Sequence, residues 1–109
     1  MPLRNLPTGA AVPLASLIEA RPGQVSSMSF TRLGDPVSMT LLAFAEGESV
    51  SEEMYPADTL YLVAEGSTDI VFAGRRVTVH AGEVLMVPAG VEHAVEPVEA
   101  VKLLQVSFG

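Results

Sequence analysis

Cysteine is absent from this chain of 109 residues. Its absence excludes disulfides, thiolate zinc sites and cysteine nucleophiles, and it fits a reducing, cytoplasmic setting. Basic side chains are scarce: 6 Lys and Arg stand against 13 Asp and Glu, for a net charge of −7. A surface this acidic repels phosphate backbones, so nucleic acid is not an expected partner. No apolar run is long enough to cross a bilayer, so no membrane partner is expected either. There is no glycine-rich loop of the P-loop or dinucleotide type. No serine sits in a nucleophile elbow.

What is present is apolar residue, at 49% of the chain, which fits a folded domain with a real core. The length predicts one domain over residues 1–109. Arg4 and the apolar Gly9–Ile18 resemble a secretion signal, but Pro13 interrupts the run and Glu19 closes it, so it reads as mature sequence. Pro13–Ala20 is expected to form a short helix, with Pro13 in its first turn and Arg21-Pro22-Gly23 ending it.

Beyond that point the periodicity is that of strands. Met28 and Phe30 alternate with serines and Thr31, and Val37–Ala45 begins by alternating and becomes apolar on both sides at Leu42 and Phe44, as in a strand covered on both faces. Residues 48–57 are polar and read as a loop with at most a short strand. Gly66, Gly74, Gly82 and Gly90 then punctuate strands at Thr59–Ala64, Thr68–Phe72, Arg75–His80 and Glu83–Val87, and Ala100–Phe108 closes the chain. The methionines fall in this pattern and read as core filling. The predicted fold is all-β, an antiparallel barrel of about nine or more strands behind one short helix.

The stretch Gly82–His93, GEVLMVPAGVEH, carries the clearest chemistry. Pro88 ends a strand because it cannot donate to a ladder. After Gly90, alternation places Val91, His93 and Val95 on one face, the one expected to point inward. His80 alternates onto the solvent side. The spacing of Gly82, Pro88, Gly90 and His93 resembles the second conserved motif of the cupin superfamily. That resemblance implies an antiparallel jelly-roll barrel, in which three His and one Glu often hold a metal.

Set against the first motif of the same family, Gly47 and Gly66 match. Glu53 then stands at the first His position, Tyr55 at the second and Thr59 at the Glu position; only His93 keeps its type. A catalytic metal usually has three protein ligands and an open position. His93 and Glu53 are the two candidate ligands here, Tyr55 is a poor one while protonated, and Asp58 falls on the opposite face from Thr59. No resident cofactor is expected, and a weakly held divalent metal at His93 and Glu53 is the most this set offers.

Three functions stay open. The first is binding of a small polar or acidic molecule in the barrel by His93, Glu53, Tyr55, Thr59 and Tyr61. The second is an enzyme, either metal-assisted or a metal-free isomerase or epimerase using His93 with Tyr55 or Tyr61 as base and acid, a pairing implied by epimerases of the same fold. The third is a structural role with a filled barrel. A homodimer is expected, because small cupins commonly pair through an N-terminal strand such as residues 24–33 and because Met28, Phe30, Leu42 and Phe44 need cover.

Overall fold

The computed structural model describes residues 2–108, and of Ser51 and Glu52 only the backbone. Nine strands form among the described residues: β1 Val25–Ser29, β2 Val37–Phe44, β3 Val50–Glu53, β4 Asp58–Glu65, β5 Ser67–Phe72, β6 Arg75–His80, β7 Val84–Val87, β8 His93–Pro97 and β9 Val101–Phe108. Two antiparallel sheets pack as a jelly-roll barrel. One has the order β1-β2-β9-β4-β7 and the other β3-β8-β5-β6.

The expected helix at Pro13–Ala20 is a single 3₁₀ turn, Leu14–Leu17. Pro13 precedes it with extended backbone, no side chain caps it, and Ile18 is already extended. One uncapped turn fixes several dihedrals for few hydrogen bonds, so packing decides its shape. Residues 48–57 carry a strand, β3, whose pairing with β8 shifts register between Val50 and Glu53.

The inner faces of the two sheets make the main core, built on Phe44, Tyr61, Val63, Ile70, Val79, Val87, Val95, Val101 and Leu103. Alternation places the other half of β2 and β9 on the outside of the five-stranded sheet. There Leu41 and Ala43 are fully buried under Ile18, Leu14 and Leu17. Lys102 anchors this flap by donating from Nζ to the Ala15 carbonyl at 2.9 Å. The apolar second face of β2 is therefore covered by the chain itself, with Phe30 at 1% exposure and Leu41 and Ala43 at 0%. Two of the methionines depart from core filling: Met54 lies beyond the end of β3 and Met86 on the outer face of β7, and both are exposed.

Gly66 links β4 to β5 with φ +77, and a Cβ there would run into the Ala100 carbonyl oxygen. Gly74 has φ +79 with nothing within 4 Å. Gly74→Ala should therefore lower stability by about 1 kcal/mol, the left-handed strain alone, and Gly66→Ala by about 2 kcal/mol or more. Urea unfolding of the two variants checks the order; equal losses would refute it.

Candidate functional site

Two neighbouring turns build the site. Gly90 adopts φ 78 after Pro88, which lets the Val91 N–H turn back to the Pro88 carbonyl at 3.2 Å. The Gly90 N–H donates to the Tyr55 carbonyl at 2.8 Å, and the Ala89 N–H to the Asp58 carboxylate at 2.9 Å. The turn before β8 is thus tied to the segment between β3 and β4, which places Tyr55 beside His93. Asp58 is spent on this tie, on the outer face.

His93 begins β8 and is 2% exposed. Tyr61, in the middle of β4, is fully buried. The Tyr61 hydroxyl and His93 Nε2 are 2.7 Å apart, and His93 Nδ1 lies 3.0 Å from the Val91 carbonyl. A carbonyl can only accept, so Nδ1 carries a proton, and in the neutral imidazole Nε2 is then the bare nitrogen. The Tyr61 O–H therefore donates to Nε2. Every polar atom of the couple is satisfied, as burial demands.

Aromatic rings surround the imidazole. Ring centroids lie at 5.6 Å for Tyr61, 5.9 Å for Tyr55 and 6.4 Å for Phe72. The Arg75 guanidinium sits 4.7 Å over the other partner of the group, the Phe72 ring, an ordinary cation–π distance. Glu53 is half-buried and pairs in register with His93 across β3 and β8. Burial pushes the Tyr61 phenol well above its usual pKa of 10.0, and the nearby Tyr55 and Glu53 add to that shift. Tyr61 is accordingly a neutral donor.

The structure gathers His93, Tyr61, Tyr55 and Glu53, and keeps Thr59 apart. Thr59 is buried, with its hydroxyl 3.1 Å from that of Ser107 and 3.4 Å from the Ala57 carbonyl. His80 is exposed at the far end of β6. Among the described residues, no three His, Cys, Asp or Glu side chains cluster to hold a metal. The side chain of Glu52 lies outside the described residues. Phe72 escaped the sequence reading, although strand alternation places it inside at the end of β5. The Val91 carbonyl left no sequence signal at all.

A depression of about 360 Å³ is lined by Ser49, Val50, Val71, Phe72, Ala73, Glu92, His93, Ala94 and Glu96. Val71 pairs with Ala94, and both alternate with core residues Ile70 and Val95. The depression therefore straddles the edge of the barrel, with Val71, Ala94 and Glu96 from the outer face and Val50, Phe72 and His93 from the inner one. The Tyr61 hydroxyl does not line it.

This arrangement, a nine-stranded jelly roll with a histidine after the turn into β8, is matched by known proteins. The family model for the cupin domain matches residues 40–107, and the chain belongs to that family. It is similar to the crystal structure of a cupin superfamily protein from Desulfitobacterium hafniense, at 45% identity and TM-score 0.94, covering 99% of this chain and 98% of that one. A cupin 2 conserved barrel domain protein from Leptotrichia buccalis is 30% identical with TM-score 0.82, over 88% of this chain and 46% of that one. A salicylate 1,2-dioxygenase from Pseudoaminobacter salicylatoxidans shares the fold at 17% identity and TM-score 0.70, over 77% of this chain and 25% of that one. No curated protein matches the sequence. None of the helices among the described residues is long and apolar enough to cross a membrane.

Because the folded pKa of Tyr61 lies above 10.0, folding favours the protonated phenol. That contribution is fully present below the unfolded value and is lost as pH rises above it. Tyr61→Phe should cost about 1–3 kcal/mol near neutral pH, since it strands Nε2 in the core. The gap to the parent should narrow by up to about 1.4 kcal/mol for each pH unit above 10. Urea midpoints of both proteins measured from neutral to strongly alkaline pH check this; a constant gap would refute it.

Proposed function

We propose that the chain is a binding member of the cupin family, taking a small neutral or cationic polar molecule at the barrel end around His93 and Phe72 without the metal the family often uses. The observation that carries this reading is the depression against β8, whose charged lining is Glu92 and Glu96. Glu96 is half shared with Arg76, at 2.9 Å on the outer surface. Glu53, Glu92 and Glu96 stand against Arg76 and the Arg75 guanidinium over Phe72, and with a net charge of −7 the balance is negative. An acidic ligand, one of the sequence expectations, is then disfavoured, and a polyol or an amine is favoured. Phe72 supplies an aromatic wall and His93, held from behind by Tyr61, a polar edge, which is the usual make-up of a small-molecule site.

The couple itself supports a second reading, acid-base catalysis by a neutral imidazole and a neutral phenol. Both groups are at 2% exposure or less, so a substrate would have to displace Tyr61, and binding is the better-supported function. Ligand-detected NMR with panels of polyols, amines and carboxylates tests the proposal. Neutral or cationic compounds should bind, and Phe72→Ala should weaken them about tenfold. Binding by carboxylates alone would overturn the assignment, and no binding in any panel would favour the filled, structural barrel.

Pairing of two copies is supported by a different surface from the one expected. Val84, Met86 and Phe108 on the outer face of the five-stranded sheet are 60%, 52% and 53% exposed. The register joins Met86 to Leu60 and Val84 to Leu62, making an uncharged strip on which two acidic copies can meet without repulsion. Light scattering should report a dimer, and Met86→Glu a monomer; a monomeric parent at micromolar concentration would rule this pairing out.

A further inference from the structure

We infer that the Tyr61 hydroxyl stands in for a metal ion on His93, holding the one imidazole lone pair a cation could use and so keeping this histidine out of coordination. A ligating histidine binds through one nitrogen and donates its other N–H to a carbonyl or carboxylate that fixes the ring. His93 has that second partner already, the Val91 carbonyl at 3.0 Å from Nδ1. Its remaining nitrogen is directed into the core, where it accepts from Tyr61 at 2.7 Å. The imidazole is thus oriented as a ligand is oriented, with a hydroxyl proton where the cation would sit.

The other groups nearby do not make up for this. Tyr61 ligates only as a phenolate, and its burial beside Glu53 and Tyr55 disfavours that form. Thr59 is neutral and bonded to Ser107. Asp58 faces outward and accepts from the Ala89 N–H. Among the described residues, Glu53 is the single carboxylate in register with His93. The residues present do not fit a resident transition metal, and one hydrogen bond separates them from a two-ligand site. Deleting the Tyr61 hydroxyl leaves Nε2 without a partner, with the Val91 bond intact and Glu53 in register on the neighbouring strand.

The test uses untagged protein carrying His80→Ala, which removes the exposed histidine as an adventitious site. Long-range proton–nitrogen NMR should show His93 protonated at Nδ1 and bare at Nε2, with neither signal moving when zinc chloride is added. Tyr61→Phe in the same background should bind zinc at least about tenfold more tightly, with the Nε2 signal shifting on addition. The inference is overturned by the opposite tautomer in the parent, by zinc moving the parent's His93 signals, or by a folded Tyr61→Phe protein that binds zinc no better. Circular dichroism establishes whether the variant is folded; if it is not, the parent spectra decide alone, since they test both the tautomer and the response to zinc.

Discussion

Strand β9 is the constraint on which the rest of this structure depends. It lies between β2 and β4 at the centre of the five-stranded sheet, and in its first half it carries buried apolar side chains on both faces. Val101 and Leu103 enter the barrel core, while Leu104 turns outward to the cluster under the N-terminal segment. A strand of this kind cannot leave either face in water. One face requires the second sheet; the other requires the flap from Leu14 to Ile18. Burying this second face explains why a lone 3₁₀ turn, with no cap and no helical length, holds a defined place.

The site follows from the same closure. Tyr61 reaches the interior because β4 pairs with β9 on one side and β7 on the other, and His93 reaches it from the opposite sheet. The bond between them crosses from sheet to sheet, through the core rather than over its rim. Buried polar groups in such a position hold the two layers in a single arrangement only when every partner is satisfied. Here the chain of donors is complete, from Tyr61 to Nε2 and from Nδ1 to Val91. The same bonds occupy both imidazole nitrogens within the fold.

Much of the fold is legible in the residues. The turns at Gly66, Gly74, Gly82 and Gly90 fall where tight connections need positive φ, and all four adopt it. Strand ends follow directly, and β6 spans Arg75–His80 as the alternation requires. The N-terminal helix is shorter than expected, one 3₁₀ turn, because an apolar run flanked by Pro and Gly carries the same pattern whether it coils or lies flat on a sheet. β3 was nearly hidden, since its polar composition and register shift erase the period by which strands are recognised.

By itself the sequence determined the all-β class and the inward side of His93 and Tyr61. Those are properties of residue type, spacing and alternation, which are local. Tertiary structure alone decided that Tyr61, 32 residues away from His93, meets it while Thr59 turns to Ser107, and that Asp58 is spent on a turn. Such pairings depend on the order of strands in the sheets and the register between them. A shift of one residue sends every side chain of a strand to the other face, and no stretch read on its own contains that information.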